Sequence, residues 1–92
     1  MRSGMRHLEA ILSAMPYFYM ARCSDRSLYS GSCIDLQARE EKHNLGKGAK
    51  YTRSRRPIQI IYHEEFPTLP EARKREAEVK RWTKGDKENL VV

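Results

Sequence analysis

Five side chains have the types for moving protons and stabilising charge on a phosphate. Tyr19 and Tyr29 are ten residues apart, Arg39 follows Tyr29 by ten, His43 lies four beyond Arg39, and Glu76 comes much later. A guanidinium stays charged at physiological pH, and its fork of donors matches phosphate oxygens. An imidazole exchanges protons near neutrality. A phenol, with a pKa of about 10, is by itself a poor base, although a nearby cation or metal-bound water lowers that cost. Plainer readings stand beside these. The tyrosines fit core positions on neighbouring strands, Arg39 and His43 fit an exposed helix face, and Glu76 fits an ion pair with a cation such as Arg39.

The elements that must position them follow from the local sequence. Tyr17 to Cys23 is aromatic and apolar, as a strand requires. Ser24-Asp25-Arg26-Ser27 is a turn, and Leu28 to Gly31 is a second short strand, closing a hairpin. The hydroxyls of Tyr19 and Tyr29 can converge there. Asp35 offers an N-cap to a helix running to about Asn44, where Asn44 and Gly46 can end it. Arg39 and His43 share one face of this helix. It has few apolar residues, which leaves that face for something other than packing.

Residues 42 to 56 then carry six Lys and Arg and no acid. Gly46 and Gly48 make this segment a loop, and Tyr51 adds a ring. Lys47, Lys50, Tyr51, Arg53, Arg55 and Arg56 are the candidate contacts to a nucleic-acid backbone; a solvated basic loop is the plainer reading. Pro57 opens a third strand, Ile58 to Tyr62, whose nearly continuous apolar run suits the centre of a small sheet. Thr68 and Glu71 have capping-box spacing at the start of a helix reaching about Trp82. Leu69, Ala72 and Val79 line one face, with Glu76 among them, while Arg73, Lys74, Lys80 and Arg81 lie opposite. A carboxylate on an apolar stripe is costly to bury without a partner. Thr83 can cap a last short helix toward Leu90.

The 92 residues allow one domain with a modest core. A net charge of +6 favours polyanionic partners. Cys23 and Cys33 read as reduced thiols of a cytoplasmic protein. With His7, His43 and His63 they do not make zinc spacing. No apolar run approaches the roughly 20 residues needed to span a bilayer. Neither a phosphate-cradling glycine loop nor a serine nucleophile motif occurs.

Together these residues resemble the GIY-YIG nuclease family. Tyr17-Phe18-Tyr19 stands for its first motif and Tyr29-Ser30-Gly31 for its second, with Tyr17 in place of a glycine and Ser30 in place of an isoleucine. Arg39 and His43 fall at the spacing of the family's arginine and histidine. The likeness continues through Gly46-Lys47-Gly48-Ala49-Lys50-Tyr51-Thr52-Arg53, Arg55-Arg56-Pro57 and Glu71-Ala72-Arg73-Lys74-Arg75-Glu76. It covers roughly Met15 to the C-terminus and is closest to the small single-domain branch, the UPF0213 group.

The resemblance implies an α/β fold, a small three-stranded and mainly antiparallel sheet flanked by about three helices. It implies an endonuclease that hydrolyses DNA, branched or single-stranded forms included. Tyr19, Tyr29, Arg39 and His43 would form the catalytic set. Glu76 would bind Mg2+ or Mn2+, held weakly without substrate, and all five would surround one concave site. A non-catalytic DNA- or RNA-binding module on the same scaffold is the alternative, and a basic adaptor for an acidic protein is a third. Residues 1 to 14 precede the likeness. Met5, Leu8, Ile11, Leu12 and Met15 have helical spacing, and this extension is expected to be mobile or loosely docked.

Overall fold

The computed structural model describes residues 15–92. The expectations for residues 1 to 14 lie outside the described residues. The described elements are β1 (Tyr17–Arg22), β2 (Leu28–Cys33), α1 (Leu36–Asn44), α2 (Lys50–Arg53), β3 (Gln59–Glu65), α3 (Leu69–Lys80) and α4 (Lys84–Val91). The sheet is antiparallel throughout, in the order β2-β1-β3. The hairpin turn is held by Asp25, which accepts from the Ser27 amide at 3.0 Å. Asp35, Thr68 and Thr83 cap α1, α3 and α4, each accepting from the amide three residues on.

Alternation along β1 divides the core into two layers. Tyr19 and Ala21 pack with Cys23, Cys33 and Ile58 on one face, where Tyr29 and Leu36 join them. Phe18 and Met20 pack with Val79 on the other, covered by Trp82, Leu90 and Val91. Arg22 ties α4 to the sheet through a two-pronged bond to Glu88 at 2.6 and 2.8 Å.

Two expectations are corrected. The apolar run of the third strand suggested a central position, but β3 is an edge and β1 is central. Met20 pairs with Tyr62 while Ala21 pairs with Ile60, so Ile61 is an extra residue in the ladder and is 36% exposed. Such a bulge changes side-chain direction locally. Ile60 therefore joins the Tyr19 layer and Tyr62 joins the Phe18 layer, although a spacing of two normally keeps residues on one face. Adjacent apolar residues arise here from a bulged edge, not from burial on both faces. The basic loop, for its part, contains the short helix α2.

Gly31 lies directly opposite Tyr19 in the ladder. A Cβ at Gly31 would sit 2.5 Å from Tyr19 Cζ and hydroxyl oxygen. We expect Gly31→Ala to destabilise the fold by about 1–3 kcal/mol through overpacking against the ring. Urea unfolding checks this, and a loss below about 0.5 kcal/mol would mean that the ring moves aside at little cost.

Candidate active site

The hairpin register sets Tyr19 and Tyr29 on the same sheet face, with Tyr29 opposite Ala21. Their rings lie 6.4 Å apart, centre to centre. Helix α1 crosses this face, and its buried residue is His43, only 1% exposed. The expectation of His43 on an unpacked helix face is thus corrected, because the imidazole is the packing residue. It contacts both tyrosine rings, at 6.0 and 5.4 Å between centres.

Both ring nitrogens of His43 are partnered. Nε2 lies 2.7 Å from the Tyr19 hydroxyl, and Nδ1 lies 2.9 Å from the hydroxyl oxygen of Thr52. Thr52 is fully buried and comes from α2, inside the segment read as a phosphate-binding loop. Gly48 is pressed against the same imidazole, where a Cβ would overlap Nδ1. Burial raises the Tyr19 phenol well above its ordinary pKa, and Tyr29 adds to this, while the Arg39 charge opposes it. Burial lowers His43 below its usual value, with Arg39 and Lys42 adding to the effect. Cys33, on the same face, is pushed up to about 11 by burial, so it remains a thiol at neutral pH.

Glu76 approaches from the other side. Pleating directs Ser32 to the α3 face, where its hydroxyl donates to Glu76 Oε1 at 2.7 Å. Glu76 Oε2 pairs with Lys80, one turn along the helix, at 2.7 Å. Lys80 Nζ in turn stands 5.5 Å from the centre of the Tyr29 ring. Arg39 donates to the Ser32 carbonyl, at a long 3.4 Å. The ion pair between Glu76 and Arg39 weighed from the sequence is therefore replaced by one with Lys80.

The five expected residues are drawn from both faces of the sheet. Tyr19, Tyr29 and His43 lie on the α1 face and Glu76 on the α3 face. The two groups meet around the outer edge of β2, through Ser32 and Lys80. Arg39 lines a cleft of about 330 Å3 with Ser32, Lys42, Leu69 and Arg73. Tyr29 lines another of about 290 Å3 with Tyr51, Lys80 and Lys87.

The basic segment also divides. Lys47, Lys50 and Arg53 are exposed, with no acid in ion-pair contact among the described residues. Arg55 is engaged by Asp25 at 2.9 Å and lies 3.8 Å over the Tyr51 ring. Tyr51 also stacks on Tyr29, at 6.1 Å between ring centres. Arg56 donates to the carbonyls of Arg53 and Asn44. Counting acids within residues 42 to 56 could not reveal Asp25, which reaches Arg55 from the hairpin turn.

Residues 15–89 match the model of the GIY-YIG catalytic domain. The chain belongs to the GIY-YIG family. A UPF0213 protein of Bacillus pumilus is 53% identical over 75 residues, covering 82% of this chain and 76% of that one. A UPF0213 protein of Staphylococcus aureus is 49% identical over 75 residues, covering 82% and 92% respectively. The solution structure of a UPF0213 protein from Bacillus halodurans is similar, with a TM-score of 0.53 and 43% identity over 83% of this chain and 81% of that one. A second solution structure, from E. faecalis, has a TM-score of 0.56 and 41% identity over the same shares. The UPF0213 group and its small antiparallel fold are thereby established for this chain.

Thr52, Ser32 and Lys80 contact the candidate residues here but were not among the candidate site residues. Lys80 had a usable signal in its four-residue spacing from Glu76. Thr52 had none, since its meeting with His43 depends on how the Gly46–Gly48 turn folds back.

The lowered pKa of His43 predicts a pH effect on stability. The unfolded chain takes up the histidine proton near pH 6.5, before the folded protein does. His43 therefore contributes stability that is fully present above about pH 6.5 and is lost as pH falls toward its folded pKa. The His43 ring protons followed by NMR should titrate below 6.5; a midpoint above that value would contradict the burial argument.

Proposed function

We propose that this protein is a divalent-metal-dependent endonuclease that hydrolyses DNA phosphodiester bonds. The observation that carries the proposal is the buried 2.7 Å bond between Tyr19 and His43, formed in a GIY-YIG catalytic domain. Tyr29 has ring contacts with His43 but no such bond, so Tyr19 is the phenol joined to a proton acceptor. A water attacking phosphorus passes its proton to the Tyr19 oxygen while the Tyr19 proton moves to His43 Nε2; Tyr19 is fully buried in the free protein, so this step follows an opening of the site on DNA. The new P–O bond comes from that water, and the bond to the leaving alkoxide breaks. The alkoxide takes its proton from solvent. With the phenol pKa raised, Tyr19 is protonated at rest and yields its proton only as it receives another. Arg39 faces the scissile phosphate and stabilises its developing charge.

Glu76 is a single carboxylate, which suits magnesium, since that ion keeps several waters and often relies on substrate phosphate oxygens. Among the described residues no group of three or more His, Cys, Asp and Glu gathers as a preformed cage. A bound Mg2+ or Mn2+ would supply positive charge at the phosphate, and Glu76 would hold it once Lys80 releases Oε2. Lys47, Lys50 and Arg53 are the cations best placed to follow the DNA backbone, whether the DNA is branched or single-stranded. Reduced Cys23 and Cys33 accord with a cytoplasmic protein. Among the described residues no helix is long and apolar enough to cross a membrane.

The second reading, a DNA- or RNA-binding module without turnover, draws on the Lys80–Glu76 pair, which already engages the metal-binding carboxylate. Single-turnover assays on plain, flapped and branched DNA across a magnesium series separate the two. Arg39→Ala should slow cleavage by about 100- to 1000-fold at every magnesium concentration. Glu76→Ala should be partly relieved by high magnesium. Cutting by Glu76→Ala at the wild-type rate throughout would remove the metal assignment, and wild type that cuts no DNA form with magnesium or manganese would leave the binding module.

DNA binding tests the basic segment separately. Neutralising Lys47, Lys50 or Arg53 should lower the slope of log affinity against log salt by about 0.9 for each duplex phosphate that the protein no longer neutralises. Arg55→Gln should leave that slope nearly unchanged, because Arg55 is already paired. An equal effect at Arg55 would show that its pair with Asp25 opens on DNA.

A further inference from the structure

We infer that Thr52 is a positioning residue that fixes the tautomer of His43 and thereby the direction of proton flow from Tyr19. This rests on the nuclease reading for its catalytic consequence, but the tautomer itself does not depend on it. A threonine hydroxyl has one proton to donate. The carbonyl of Ala49, which can only accept, lies 2.9 Å away and takes that proton in the arrangement we infer. The Thr52 oxygen must therefore accept at its 2.9 Å contact with His43, so Nδ1 carries the hydrogen. In a neutral imidazole the other nitrogen is then bare. Nε2 accepts from the Tyr19 hydroxyl at 2.7 Å.

The chain of bonds thus runs in one direction, from Tyr19 to His43 to Thr52 to the Ala49 carbonyl. Reversing it would turn the Thr52 hydroxyl away from the Ala49 carbonyl to donate to Nδ1, and would leave the Tyr19 proton without His43 as its acceptor. Both His43 and Thr52 are closed off from water, which could otherwise substitute as a partner. The Ala49 carbonyl is itself anchored by the amides of Thr52 and Arg53 at 3.1 and 3.2 Å. Gly48 allows the turn to close over the imidazole. The role of α2 is therefore to hold a hydroxyl oxygen against Nδ1, in addition to presenting cations. When His43 takes the Tyr19 proton, the imidazolium keeps Nδ1–H directed at Thr52, so nothing need rearrange.

The test is nitrogen-15 NMR of the full chain with labelled histidine, on wild type, Thr52→Val and Thr52→Ser. In wild type at pH 7.5 His43 should show a protonated Nδ1 and a bare Nε2. Thr52→Ser should keep that pattern. Thr52→Val removes the acceptor at similar volume and should shift His43 toward the Nε2-protonated form. Thr52→Ala replaces it if the valine variant does not fold. A wild-type His43 with its hydrogen on Nε2 overturns the inference, as does an unchanged Nδ1–H in a folded variant without the hydroxyl. In single-turnover cleavage, Thr52→Val should lower the rate by about 100-fold with little change in DNA affinity, the lower end for a positioned proton acceptor. Thr52→Ser should retain most of the rate. Should no DNA be cut by wild type, the nuclease reading falls, while the NMR result still decides the role of Thr52.

Discussion

A histidine closed off from water between a helix and a sheet must have both ring nitrogens satisfied, and much of this structure is arranged to do so. An unpartnered polar group at such a depth costs on the order of 1–3 kcal/mol. His43 avoids that cost through two hydroxyls from opposite directions in the chain, one on β1 and one on α2. The constraint reaches outward from there. Gly31 leaves space for the Tyr19 ring, and Gly48 leaves space for the imidazole. Burial keeps His43 neutral and Tyr19 protonated, the state from which a proton can be handed on.

The outer edge of β2 has the complementary role. A strand inside a sheet separates its two faces, but an edge strand lets side chains from both faces meet beyond it. Ser32 receives Arg39 at its carbonyl and gives its hydroxyl to Glu76. Lys80 extends from α3 past the same edge to the Tyr29 ring. The cation, the carboxylate and the phenol thus gather at a rim open to a large polyanion, which a deep pocket would exclude. Around it, Arg55 and Tyr51 support each other, with Asp25 and Tyr29 as their partners.

Much was legible in the residues themselves. The hairpin, the capped helices and the ten-residue spacings of Tyr19, Tyr29 and Arg39 depend on interactions within a few residues or on a short antiparallel register. Asp35, Thr68 and Thr83 act on amides three positions away, so the helix starts were local facts. The family resemblance was legible in the same short-range motifs, and the match of residues 15–89 to the family model agrees with it.

Contacts distant in sequence were not legible. The position of β3 at the sheet edge turns on one bulged residue, Ile61, which appears in the sequence only as another apolar letter. Asp25 neutralises Arg55 across 30 positions, so a local count of charge overstated the basic surface. The sequence by itself determined the elements, the basic character and the set of polar residues, since these are properties of spacing and composition. Only the tertiary structure decided that His43 is buried, that Thr52 holds its far nitrogen and that Glu76 meets Lys80 at the rim. Those outcomes depend on which surfaces the helices bury against the sheet, and a one-dimensional pattern does not contain that choice.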